Sequence, residues 1–218
     1  MSDAHEVEIK RLLVDDGAAE RFVAALRKPV RATQHQVNHV FDTDDGRLAR
    51  SRHAVRLRVQ DGDATLTAKG PGREVSASTS ARLEAETTVE DELVEDLLAG
   101  RIEPLCVLRQ RIPDDAYADL WRGLDEARAC RPLRADGRFE NTRRVVDVTL
   151  ASGLQLTVEV DETHFPNARV DHEVEIEVPG EELVAEVEAW LDGVARDAAI
   201  ETRDSTPKIA RFHEALRS

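Results

Sequence analysis

Charged and apolar residues alternate with a period of two along several short stretches of the chain. Residues 5–14 begin by setting Glu6, Glu8 and Lys10 against Val7 and Ile9. HAVRLRVQ opposes Arg56 and Arg58 to Val55, Leu57 and Val59, TLTAKG groups Thr65, Thr67 and Lys69, and ARLEAET groups Arg82, Glu84 and Glu86. Near the other end, LQLTVEVDE opposes Thr157, Glu159 and Asp161 to Leu156, Val158 and Val160. HEVEIE then echoes the opening pattern with Glu173, Glu175 and Glu177. Successive side chains of a strand point to opposite faces, so each stretch predicts a strand with one charged and one apolar face. Residues 35–43 and 138–149 complete a set of about eight strands.

Between and after them the period changes to that of helices. Residues 15–28 place Phe22, Val23 and Leu26 on one stripe, with Asp15 or Asp16 as the cap. Residues 89–100 carry acids in the first turn, the stripe Leu93, Leu97 and Leu98, and Gly100 as a stop. Residues 114–129 and 181–195 read the same way, and TPKIARFHEAL predicts a short last helix entered through Pro207. The stretch GPGREVSAST (70–79) is the best candidate for a flexible loop. With no linker or low-complexity tract, residues 1–218 are expected to form a single domain.

Alternation alone is ordinary in an antiparallel sheet that shows one face to water. The sorting of charge is not. Glu6, Glu8, Glu173, Glu175 and Glu177 are all acidic, whereas Arg56, Arg58 and Lys69 are all basic, and like neighbours on one exposed sheet would repel. Closure into a barrel of about eight strands brings the two sets together on a polar lumen and leaves the apolar exterior to helices. The expected fold is therefore α+β: an eight-stranded antiparallel β-barrel, or tunnel, with helices packed outside. Lumenal carboxylates suit a hard divalent metal, while arginines and lysines suit a polyanion, so together they point to a metal–phosphate complex.

Composition narrows the partners. The net charge of -14 and the 4% aromatic content argue against nucleic acid. No run approaches the roughly 18 apolar residues of a membrane span, and the N-terminus has no basic-then-apolar leader, so the cytoplasm is the expected compartment. Cys106 and Cys130 match neither a disulfide framework nor a metal site and are read as reduced structural residues. Only four lysines stand against 26 arginines. Under such a bias Lys10, Lys69 and Lys208 become candidates for places where a compact ammonium is needed.

The motifs together resemble the CYTH proteins, or triphosphate tunnel metalloenzymes. The family's ExExK strand is matched by Glu6 to Lys10, and its Q-x-N-x-x-FDT strand by Gln36 to Thr43, with His39 where Tyr or Phe is more usual. Arg56-Leu57-Arg58, Thr67-Ala68-Lys69 and Arg82-Leu83-Glu84-Ala85-Glu86 follow in family order. Asn141-Thr142-Arg143, Val160-Asp161-Glu162, His172 to Glu177 and the stretch Ser205 to Phe212 with Lys208 complete it. The match covers almost the whole chain and is nearest in character to stand-alone inorganic tripolyphosphatases.

The resemblance implies a hydrolase that cleaves a small-molecule triphosphate, most simply tripolyphosphate to pyrophosphate and phosphate, with Mg2+ or Mn2+. Glu6, Glu8, Glu173 and Glu175 would hold the metal, and Glu177 shares their face nearer the rim. Lys10, Arg56, Arg58, Lys69, Arg82, Arg143 and Lys208 would bind substrate, with Arg144 the sheet-parity rival of Arg143. Glu84, Glu86 and Asp161 would hold a second metal or orient the arginines. Lys208, on a helix able to plug one tunnel mouth, would protonate or neutralise the leaving phosphate, making it, with Glu6 and Glu8, the catalytic set. Arg109 and Arg111 could imitate the family's K-x-R strand but fall where a helix or connector is expected. The same tunnel could serve a class IV adenylyl cyclase or a thiamine triphosphatase, and loss of the acids would have marked a non-catalytic polyphosphate-binding module. A monomer or homodimer is expected, with no nucleic-acid or membrane partner.

Overall fold

Strand pairing realises the alternation in a computed structural model that describes residues 5–15, 17–112 and 114–218. Its strands are β1 (His5–Leu13), β2 (Ala32–Asp42), β3 (Ala54–Gln60), β4 (Asp63–Lys69), β5 (Arg73–Ser76), β6 (Thr79–Val89), β7 (Arg134–Thr149), β8 (Gln155–His164), β9 (Val170–Glu177) and β10 (Thr202–Asp204). The helices are α1 (Ala18–Ala25), α2 (Arg47–Arg50), α3 (Asp91–Leu98), α4 (Pro104–Arg111), α5 (Ala118–Arg128), α6 (Val184–Asp197) and α7 (Lys208–Arg217). The antiparallel order β1-β9-β8-β7-β2-β3-β4-β6 closes through a β1–β6 pairing into the expected eight-stranded barrel. The short strands β5 and β10 lie outside the ring, on β6 and β1.

Two apolar layers cover the exterior. Phe22 of α1 and Val187 and Leu191 of α6 pack on Ile9, Val146, Val158, Val174 and Ile176. Leu97 of α3, Leu105 and Leu108 of α4, and Leu120, Trp121 and Leu124 of α5 pack on Val55, Leu57, Leu66, Ala68 and Ala85. These strand residues share the parity opposite to the charges, so the same period that buries them sends the charges inward. Helix α7 behaves differently. Its Phe212 and Ala215 join Phe165 and the interior-facing Val40 and Phe139, filling part of the lumen with an apolar plug.

Several expectations change. The stretch 70–79 is not free, since β5 pairs with β6 and Glu188 of α6 accepts hydrogen bonds from Ser76, Ser78 and Thr79 at 2.5, 2.7 and 2.8 Å. Asp15 does not cap α1 with its side chain; Gly17, in the left-handed region, takes the cap position, and Asp16 lies outside the described residues. Gly100 does end α3, with φ +68° and its N–H donating to the Leu97 carbonyl. Cys106 and Cys130 are free thiols, in line with the expectation of reduced cysteines, and both are exposed. Among the described residues no helix is long and apolar enough to cross a membrane.

The FDT segment shows how a motif can serve the scaffold. Asp42 is buried, and its carboxylate accepts from the N–H groups of Thr43, Leu48 and Ala49 at 2.7, 2.8 and 3.0 Å, while Thr43 Oγ1 accepts from Arg47 N at 3.0 Å. Three otherwise orphaned donors of the β2–α2 turn are thereby satisfied by one side chain. Asp42→Ala should lower stability by about 3 kcal/mol in urea unfolding, because it strands those donors.

Candidate active site

Interior positions of all eight ring strands converge on one cavity of about 1230 Å³. Of the residues assigned from the sequence to substrate or metal, setting aside the rivals Arg109, Arg111 and Arg144, all but Asp161 and Glu173 line it. Those two are fully buried in its wall. Lys208 Nζ lies 2.9 Å from Asp161, 2.6 Å from Glu173 and 2.6 Å from Glu175. Arg143 donates to Asp161 through two nitrogens, at 2.8 and 2.7 Å, donates to Glu175 at 2.6 Å, and also pairs with Glu159. Lys10 bridges Glu175 and Glu8, the latter at 2.7 Å.

These contacts set the charge states. Burial lowers the Lys208 pKa, but Asp161, Glu173 and Glu175 outweigh it and hold the pKa above the ordinary lysine value. Burial would likewise raise the Glu175 pKa, yet Lys10, Lys208 and Arg143 hold it well below the usual carboxylate range. Glu159 is pushed up to about 7, chiefly by burial, with Arg143 opposing the shift.

A second edge of the cavity is acidic. Glu8 stands opposite Glu177 across the β1–β9 pair, and Glu6 hydrogen-bonds with Glu84. Lys69 bridges Glu6, at 3.2 Å, and Glu84, while Arg82 donates to Glu8 at 3.1 Å. Burial and then the Glu84 contact raise the Glu6 pKa; burial and then Glu6 and Glu8 raise that of Glu177. In both, burial is the larger cause and the neighbouring carboxylates add to it. Among the described residues no trio of His, Cys, Asp or Glu is already gathered as a metal cage. The donor chemistry nevertheless fits a hard divalent cation: several carboxylates face the cavity, and their repulsion is what such an ion would relieve.

The opposite imbalance lies on β3. Arg56 is half-buried with an inaccessible, unpartnered Nε, and burial, then Arg58, lower its pKa. Arg58 has only a 3.6 Å approach to Glu86, which Thr67 also contacts at 3.1 Å. Asn38, beside Arg58 across β2 and β3, is 1% exposed, and its Oδ1 is also unpartnered. Donors and acceptors thus wait together on one wall.

Some candidates fall elsewhere. Glu173 pairs with Lys208, Arg211 and Ser205 and does not reach the cavity; Glu177 does. The stagger of β9 against β1 causes the exchange, since it sets Glu175 opposite Lys10 and Glu177 opposite Glu8. Arg144 points outward to Glu20 on α1, at 3.5 Å. On α4, Arg109 meets Asp125 at 2.7 Å and Arg111 meets Glu90 at 2.5 Å, so neither enters the lumen. Asn38, Glu159 and Arg211 went unassigned by the sequence reasoning. Strand parity with Asp161 could have found Glu159, and the three-residue spacing from Lys208 could have found Arg211.

Similarity to known proteins agrees with this geometry. A Hippeastrum protein, described as an adenylyl cyclase candidate with a dominant triphosphatase activity, is 25% identical with a TM-score of 0.76, over 96% of this chain and 95% of its own. A Bacillus halodurans protein described as an adenylate cyclase candidate has 21% identity and a TM-score of 0.68, over 96% of this chain and 98% of its own. A Pyrococcus horikoshii protein shares the fold at 17% identity and a TM-score of 0.55, over 95% and 98% of the two chains. No curated protein matches. The CYTH domain matches residues 4–209, nearly the whole chain, and the protein belongs to the CYTH domain family.

Proposed function

We propose that the chain hydrolyses a linear triphosphate, inorganic tripolyphosphate before organic esters, to pyrophosphate and orthophosphate in the presence of Mg2+ or Mn2+. The observation that carries this reading is Arg56, a half-buried guanidinium on the cavity wall whose inaccessible Nε is orphaned and which has no carboxylate ion pair among the described residues. A partly desolvated cation with an unsatisfied donor marks where an anionic ligand lowers the energy most. Membership of the CYTH family supports the reading, as does the activity described for the Hippeastrum protein. The lining offers little to a nucleobase or thiazole: Phe139 is committed to Phe165 and Phe212, which leaves Tyr117 as the phenyl ring at the cavity.

In this mechanism Arg56, Arg58, Lys69 and Arg143 grip phosphate oxygens, arginine by its fork and lysine by point charge, while Lys10 ties the acidic and basic edges together. Glu6, Glu8 and Glu177, with Glu84 beside them, would hold the divalent cation; Glu175 adjoins them, and Glu173 is committed to Lys208 and Arg211. When bound, the cation neutralises phosphate charge and lowers the pKa of an attacking water. Water adds in line to the terminal phosphorus, the bond to the bridging oxygen breaks, and pyrophosphate leaves with that electron pair. Lys208, held protonated by three carboxylates, acts as a fixed positive charge for the leaving pyrophosphate rather than as its proton donor.

Purified protein with Mn2+ or Mg2+ should release phosphate from tripolyphosphate faster than from ATP or thiamine triphosphate. Absence of release from tripolyphosphate with either metal would sink the hydrolase reading. The double substitution Glu6→Gln with Glu8→Gln should abolish turnover and weaken Mn2+ binding in calorimetry without loss of the folded state; retained Mn2+ affinity would remove the metal assignment. Arg56→Gln should raise KM about 30-fold, the loss expected for a charge-assisted contact of about 2 kcal/mol. An unchanged KM would show that Arg56 does not meet the substrate.

A further inference from the structure

Arg211 is fully buried, the largest such side chain among the described residues. It lies three residues after Lys208 on the same face of α7. Its guanidinium is held from three sides. Nη1 donates to Asp171 and Nη2 to Glu173, at 2.6 and 2.7 Å, and Nε donates to the Thr206 carbonyl at 3.1 Å. The group also lies 5.7 Å from the centroid of the Phe165 ring. The same Glu173 oxygen that accepts from Arg211 is 2.6 Å from Lys208 Nζ, and its other oxygen accepts from Ser205. Neither Arg211 nor Glu173 lines the cavity, so neither can touch a ligand there.

Stability alone is a weak reason for this arrangement. Apolar side chains of similar volume often hold a buried interface as well as an ion pair does, and Phe212 and Ala215 already anchor the helix. What a shared carboxylate does supply is a fixed position for the second cation. We propose that Arg211 is a positioning residue: by sharing Glu173, it holds the Lys208 ammonium at the cavity edge. With Arg211 present, the Glu173 charge is divided between two cations, and Lys208 remains balanced among Asp161, Glu173 and Glu175 facing the lumen. Without it the whole charge of Glu173 falls on Lys208 and draws the ammonium into the wall. The inference rests on the reading of Lys208 as the charge that stabilises the leaving group.

The test uses the full chain, tripolyphosphate and Mn2+, with Arg211→Gln and Glu173→Gln made singly and each combined with Lys208→Met. Thermal melting checks that the variants fold. Each single substitution should lower kcat about 100-fold, the cost of a misplaced group, and change KM less than about threefold. Combined with Lys208→Met, neither should lower kcat further, since both act through the group already removed. Losses that add to that of Lys208→Met, or a raised KM with kcat intact, would overturn the role of Arg211 and leave the hydrolase reading standing. Full kcat in Lys208→Met would instead remove the proposed role of Lys208, and this inference with it. If Arg211→Gln does not fold, Glu173→Gln decides by the same criterion.

Discussion

A barrel with a charged inner face can stay closed only if its buried carboxylates and cations neutralise one another, because an unpaired buried charge carries a large desolvation cost. That constraint runs through the whole interior. Lys10 joins Glu8 to Glu175, Arg143 joins Asp161 to Glu175, and Lys208 sits among three acids contributed by β8 and β9. Each pairing depends on strand register. A slip of one residue would turn the charges of that strand out onto the apolar layer and bring Val or Ile inside. The charge lattice and the two exterior helix layers therefore select the same registers, one by penalising unpaired charge and the other by burying apolar surface.

The compensation is uneven, and the unevenness is what gives the cavity its proposed chemistry. Where α7 enters, cations and carboxylates interlock so fully that Glu175 is strongly acidified and Lys208 is locked in its charged form. Toward Glu6, Glu8 and Glu177 carboxylates crowd one edge of the cavity, and Arg56 and Arg58 stand as neighbouring cations on β3. A ligand carrying a divalent cation at one end and phosphate oxygens at the other would relieve both strains at once, which neither ion achieves alone. Substrate binding and metal binding are then expected to support each other.

Helix α7 connects the two regimes. It is the helix whose apolar face meets residues of interior parity, Val40 and Phe139, instead of the barrel exterior. Its first residue consequently reaches the lumen as a cation that no strand supplies, seated on carboxylates that the strands do supply. Arg211, one turn further on, converts a surface-type helix residue into part of the wall by pairing with Asp171 and Glu173.

Much of this was legible in the chain. Period-two alternation identified the ring strands and separated inward from outward residues, because side-chain direction along a strand is a local property. The sorting of acids and bases then implied closure, and the motif order implied the family. Local rules could not decide how far one strand is staggered against the next. That stagger put Glu177 rather than Glu173 beside Glu8, although the two glutamates have the same parity and equally good motif credentials. Nor could helix periodicity announce that Arg211 would be buried, since a charged residue near a helix start is ordinarily solvated. The alternating pattern determined which faces carry charge, whereas only the folded barrel decided which charges meet, because pairing energies depend on distances between residues far apart in the chain.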